Sequence, residues 1–139
     1  MNCLTYEGKN LEELKEKSLE QINLNSNDVI MSWEEKKFGL FKSAITYTLK
    51  IYKLNDVVSE IKDYLLELLN NMHIHATCET KIRENQINIK IFSNQNNILI
   101  GKNGQNLNAL QTIIRQHIFK EIGTYPYLIL DVENYKEKR

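Results

Sequence analysis

One stretch decides how this sequence is interpreted: Ile98-Leu99-Ile100-Gly101-Lys102-Asn103-Gly104-Gln105-Asn106-Leu107-Asn108-Ala109-Leu110. Two glycines three positions apart join a short apolar segment to the start of a longer amphipathic one. Glycine permits positive φ angles and lets the backbone approach a ligand closely. The unpaired amides that open the following helix, together with Lys102, suit an anion such as a phosphodiester. Because the same spacing occurs in ordinary helix–helix turns, the surrounding elements must decide its meaning.

The residues around this stretch predict the element order α-β-β-α-α-β. A first helix, capped by Asn55 or Asp56, carries apolar residues at helical spacing. Two strands with period-two alternation follow and are joined by a turn at residues 83–86. After the paired glycines, a long helix is predicted to end at Gly123, and a last strand covers residues 127–133.

The first 53 residues predict a smaller β-α-β-β unit. A short strand precedes a helix that Asn10 caps. A strand at residues 29–33, a charged turn at residues 34–37 and an alternating strand at residues 45–51 complete the unit. Because a unit of this size is marginally stable alone, we expect it to need a partner surface.

Composition limits the classes of protein to consider. The chain has 139 residues, of which 42% are hydrophobic and 26% charged, which is typical of a globular protein rather than a disordered one. Eighteen basic residues balance eighteen acidic ones, so nucleic-acid binding must depend on local geometry rather than on bulk charge. No signal peptide or membrane span is visible, which favours a cytoplasmic location without membrane insertion. Cys3 and Cys78 are expected to be reduced thiols.

A Gly-x-x-Gly turn between two helices in this element order is typical of a KH domain, in which the loop clamps nucleotides. Residues 56–139, including the closing segment 130–139, resemble the KH domain of the Jag family of bacterial RNA-binding proteins, also called SpoIIIJ-associated, KhpB or EloR. The resemblance implies an α+β fold with a type II-like KH domain over residues 54–139 and a GxxG loop at 101–104.

The first part of the chain is similar to the small Jag-N domain. Residues 6–9, the helix from Asn10 and residues 36–41 carry this similarity, which implies a separate domain over residues 1–53. Two departures stand out. The family's C-terminal Arg-x-x-x-His domain is not recognisable, and Lys102-Asn103 provides one cation where relatives often have two, so we expect weaker binding.

The main hypothesis is binding of single-stranded RNA without enzymatic activity. The two glycines would shape the loop, and Lys102 and Asn103 would contact phosphate. Isoleucine and leucine side chains would form an apolar floor and an opposite wall, although core packing remains the simpler role for most of their atoms. The candidate RNA-binding residues are Gly101, Lys102, Asn103, Gly104, Gln105, Ile98, Ile100, Leu107, Ile89 and Ile91.

The alternative hypothesis is a protein-interaction adaptor with little RNA affinity of its own. The family resemblance implies pairing with a small KH protein and a role in cell elongation and envelope control. Formation of a homodimer is a further alternative. Exposed aromatic residues around position 40 would dock a partner, but burial in the small unit's own core is favoured. The residues concerned are Trp33, Phe38, Leu40 and Phe41.

An enzyme is the least favoured interpretation. The Gly-Lys-Asn-Gly turn lacks the spacing and the Lys-Ser/Thr pair of a Walker loop. Metal-ligand residue types cluster at His73, His75 and Cys78, with the two histidines placed on one strand face and the cysteine on the other. Because a fourth ligand is missing, structural histidines are preferred, and we expect no metal ion and no cofactor.

Overall fold

The computed structural model describes residues 1–133 and Tyr135, arranged as two three-stranded sheets with helices packed on them. The elements are β1 (Leu4–Gly8), α1 (Leu11–Ile22), β2 (Val29–Phe38), β3 (Ala44–Lys53), α2 (Leu54–Asn71), β4 (Ala76–Arg83), β5 (Gln86–Ser93), α3 (Asn96–Ile100), α4 (Gln105–Ile122) and β6 (Tyr127–Val132). Short 3₁₀ turns cover Ser26–Asp28, Leu40–Lys42 and Lys102–Gly104. Asn134 and residues 136–139 of the predicted closing segment lie outside the described residues.

The first sheet and α1 form the predicted β-α-β-β unit, which we call the N-terminal unit. Its strands are antiparallel in the order β1-β3-β2. The Asn10 side chain caps α1 by accepting a hydrogen bond from the Glu13 N–H at 3.1 Å. Fully packed side chains are few, and the described core consists of Val29, Leu49 and Ile51 beneath half-buried residues of α1.

The prediction of a charged turn at residues 34–37 is wrong. Strand β2 continues through these residues to Phe38, which pairs with Ala44 of β3. Beyond Ser32 every residue of β2 is exposed, so no apolar alternation marks the strand, and the ladder to β3 satisfies its backbone groups instead. The turn between β2 and β3 lies at residues 39–43.

The second sheet carries the predicted KH-like order, and we call its elements, α2 to β6, the C-terminal unit. Strand β5 is central, antiparallel to β4 and parallel to β6. Helices α2 and α4 pack on the sheet and enclose a core of twenty buried residues among those described. The α+β class and the α-β-β-α-α-β order are therefore confirmed. No helix within the described part of the chain has both the length and the apolar character to cross a membrane.

The predicted cap of the first helix of this order, at Asn55 or Asp56, is wrong. Helix α2 begins at Leu54, directly after the last residue of β3. Lys53 takes the N-cap position with an extended backbone and no capping side-chain hydrogen bond. Burial of Leu54 and Val57 in the core fixes this helix start in place of a capping side chain.

The two units are in contact with each other. Ile30 packs against the large core, and the buried ring of Tyr52 belongs to it. Burial raises the pKa of Tyr52, and the nearby Cys3 and Glu121 raise it further. The N-terminal ammonium lies 3.7 Å from Glu121 Oε2. The C-terminal unit thus supplies the kind of partner surface that the small unit was expected to need.

Candidate nucleic-acid interface

The Gly101–Gly104 turn has a backbone conformation that few residue types adopt. Helix α3 closes with a hydrogen bond from the Gly101 N–H to Asn97 O at 3.0 Å. Three residues of the turn have positive φ angles: 70° at Gly101, 55° at Asn103 and 75° at Gly104. Glycine accepts this region freely, and asparagine is among the side chains that tolerate it. The geometry therefore explains both glycines and favours asparagine over a branched residue at position 103.

Asn106 holds this turn in place. Its Nδ2 donates a hydrogen bond to Ile98 O at 2.8 Å, which ties the first turn of α4 to α3. The amide also fills the space beside Gly101, where an added Cβ would lie 2.6 Å from Asn106 Cγ. Gly101 is therefore required for space as well as for its φ angle. Sequence reasoning missed Asn106, whose only signal was an amide two positions after the second glycine.

The turn presents uncompensated positive potential. Helix α4 starts at its Gly104 N-cap with no capping side chain and no acidic residue in its first turn. The side chains of Lys102, Asn103 and Gln105 are exposed. The partial positive charge at a helix N-terminus and a mobile ammonium thus lie together at an open surface, where an anion is stabilised.

An open depression lies at the start of α3, on the side away from Gly101 along the chain. It has a volume of about 520 Å³ and is lined by residues 93–98 and by Glu133. Ile98, three positions before Gly101, is 56% exposed, and Ile100 is half-buried against the core. Lys102 and Asn103 of the turn are exposed like Ile98, whereas Gly104 is buried.

Three residues of the predicted floor and wall belong to the core instead. Leu107, Ile89 and Ile91 are at most 1% exposed. Strand β5 is central, so the backbone between Ile89 and Ile91 is engaged in ladders to β4 and β6. Neither these side chains nor that backbone can reach a strand of RNA. The prediction that Ile89 and Ile91 line a wall of the RNA site is therefore corrected. Ile98 and Ile100 remain as the apolar surface beside the turn.

Comparison with known proteins identifies the family of this chain. A family model described as the KH domain of KhpA/KhpB matches residues 59–129, which is about half of the chain. The chain belongs to this KhpA/KhpB KH family. The matched range contains the complete Gly101–Gly104 turn and both helices that flank it.

Relatives of this KH family extend the similarity to the N-terminal unit. The chain is 28% identical over its whole length to the RNA-binding protein KhpB of Clostridium symbiosum and, again at 28%, to that of Bacillus subtilis (strain 168). It is 25% identical over 63% of its length to the KhpB of Streptococcus pneumoniae serotype 2. The chain spans 64% and 68% of the first two relatives.

The structure corrects the geometry of the histidines considered as metal ligands. His73 has a φ of 61° in the turn after α2, and His75 precedes β4, so the two do not share a strand face. Cys78 is half-buried in β4, and burial raises the pKa of its thiol against the opposing effect of Lys62. Among the described residues, no ligand cluster contains these three side chains.

The hairpin between β2 and β3 is more exposed than expected. Burial was favoured for its apolar residues, and this prediction is wrong. Trp33 and Phe38 are 47% and 45% exposed, and Leu40 and Phe41 are 85% and 98% exposed. Lys15 of α1 lies over the Trp33 ring, with Nζ 4.0 Å from its centroid, but the small core leaves all four side chains exposed.

Proposed function

We propose that this chain binds single-stranded RNA through the Gly101–Gly104 turn and the first turn of α4. Backbone amides and Lys102 would hold one or two phosphates, and Ile98 and Ile100 would support a base. The observation that carries the proposal is the uncapped start of α4 beside the exposed side chains of Lys102 and Asn103. The KhpB relatives, which are named RNA-binding proteins, support the same ligand class.

The direct test is the double substitution Lys102→Asp with Asn103→Asp. It replaces the ammonium with carboxylates at the site of the proposed phosphate, and aspartate tolerates a positive φ angle much as asparagine does. We expect RNA affinity in a gel-shift titration to fall at least about ten-fold, the equivalent of about 1.4 kcal/mol. Circular dichroism should be unchanged because both side chains are exposed.

A matched control is Asn2→Asp with Lys9→Asp, which changes the net charge equally at exposed positions of the N-terminal unit. It should bind RNA like the unmodified chain. Equal loss in both variants would indicate bulk electrostatics, and undiminished binding in the loop variant would remove this turn as the contact.

Salt dependence provides a second check on the same proposal. One or two phosphate contacts predict a slope of log K against log salt of roughly −0.7 to −1.4 for a single strand. A much steeper slope would contradict binding by a single turn, because it would require many more cationic contacts than Lys102 and the amides provide.

The tip of the hairpin between β2 and β3, formed by Leu40 and Phe41, favours a second function. We propose that Leu40 and Phe41 dock a protein partner, either a small KH protein or a second copy, because both side chains are almost fully exposed. Leu40→Ser with Phe41→Ser should weaken association measured by light scattering and leave the RNA affinity unchanged. Association that resists this variant would exclude the tip, and an absence of RNA shift with and without the partner would favour the adaptor role alone.

The cellular role and the domain boundary are parts of the same proposal. We propose a cytoplasmic post-transcriptional regulator connected with cell elongation and envelope control, which the family resemblance supports. In-cell crosslinking followed by sequencing of the bound transcripts tests it.

We also propose two domains, at residues 1–53 and 54–139, because β3 ends at Lys53 and α2 begins at Leu54.

A further inference from the structure

Three metal-binding side chains meet on the outer surface of α2 and α4. Glu60 projects from α2, while His117 and Glu121 are one helical turn apart on α4. One ligand atom from each residue lies within 4.8 Å of the others, and His117 Nε2 is 3.1 Å from Glu60 Oε1. This arrangement, with two ligands at i and i+4 on α4 and a third on α2, can chelate an ion. The linear sequence does not reveal it because Glu60 is far from His117 along the chain.

The imidazole of His117 is held in a fixed orientation. The Tyr64 ring stacks on it with centroids 3.7 Å apart and an interplanar angle of 2°. The side chains of His117, Glu60 and Glu121 are 23%, 36% and 37% exposed, so an ion from solvent can reach them. A fixed nitrogen ligand lowers the entropy that is lost when a metal binds.

We propose that Glu60, His117 and Glu121 bind one divalent transition-metal ion, with Zn²⁺ as the test ion. Two carboxylates beside a neutral imidazole carry a formal charge of −2, which the N-terminal ammonium near Glu121 balances only in part. Zinc bonds of about 2.0–2.2 Å separate tetrahedral ligand atoms by roughly 3.3–3.6 Å, so small rotamer changes would complete the site, with water as the fourth ligand. The nitrogen ligand disfavours Mg²⁺ and Ca²⁺, which prefer oxygen.

This site is separate from the proposed RNA contact. His117 is thirteen residues beyond Gly104 on α4, which corresponds to about 20 Å along the helix axis. A bound ion would join α2 to α4 next to the start of the chain. It would thus strengthen the packing of the C-terminal unit without touching the turn.

Calorimetric titration of the EDTA-treated full chain with ZnCl₂ tests the proposal. We expect one ion per chain, and affinity reduced at least about ten-fold in His117→Ala. Glu121→Gln should also weaken binding, and it preserves the size of the side chain. The control His73→Ala with His75→Ala removes two exposed histidines outside the cluster and should bind zinc normally. MgCl₂ should give no saturable heat.

Thermal unfolding gives a second measurement that does not depend on calorimetric heats. Zinc should raise the Tm of the unmodified chain and of the control, and raise it less in Glu121→Gln. Zinc binding that survives in His117→Ala and Glu121→Gln, or that disappears in the control, would overturn the proposal. So would the absence of one-to-one zinc binding to the unmodified chain. RNA affinity should be equal with zinc and with EDTA.

Discussion

The two units of this chain differ most in how much core each one encloses. Nineteen buried residues of the C-terminal unit fill its described core, whereas the described core of the N-terminal unit contains Val29, Leu49 and Ile51. The small unit adds contacts through Ile30 and Tyr52 to the large core. Because apolar burial dominates folding free energy, the C-terminal unit should stabilise the chain while the N-terminal unit depends on it.

The largest loss of stability is expected from a substitution in the core of the C-terminal unit. Leu65→Ala removes a fully buried side chain of α2, and the surrounding helices and sheet cannot collapse onto the cavity. We expect a loss of about 3–5 kcal/mol in the free energy of unfolding, measured by urea titration. Leu66→Ala, at a half-buried neighbouring position, is the matched control and should cost about 1 kcal/mol. Equal losses would contradict the assigned core.

A smaller and local effect is expected in the small core. Leu49→Ala removes a buried side chain of β3 whose neighbours on α1 are half-exposed and free to relax. We expect a loss of about 2 kcal/mol, seen by amide hydrogen exchange as faster opening confined to residues 4–53. RNA affinity should be retained. Global unfolding or loss of RNA binding would mean that the two units fold as one.

The mildest effect on stability is expected at the turn. Asn106→Ala removes the hydrogen bond to Ile98 O, which costs about 1 kcal/mol at an exposed site. RNA affinity should fall about five-fold because the turn loses its clamp, a change of about 1 kcal/mol. Asn108→Ala, also exposed on α4, is the matched control and should change neither quantity. An unchanged affinity in Asn106→Ala would show that the clamp does not matter for binding.

The same contrast explains how much of the fold the sequence revealed. Where one face of an element is buried, as in α4 and β5, apolar periodicity predicted the element correctly. In the outer half of β2 neither face is buried, so its pairing with β3 left no pattern in the residues. The start of α2 was misplaced because burial of Leu54, rather than a capping side chain, determines it.

The candidate site was predictable in its backbone but not in its side chains. Gly101 and Gly104 indicated the turn because few other residues adopt its φ angles. Ile89 and Ile91 point into the core, which is the simpler role that their alternation with polar residues indicated. The positions of Asn106 beside Gly101, and of Glu60 beside His117, depend on helix packing that spacing alone does not specify.

The most direct test of the RNA-binding account is an NMR titration of the full chain with a single-stranded oligoribonucleotide. We predict the largest amide shifts at Lys102 and in the first turn of α4, because the phosphate would lie beside these residues. Ile98 should shift with them, while the amides of β1 and β4 stay in place. Saturable binding with unchanged amides in residues 101–107 would contradict the account.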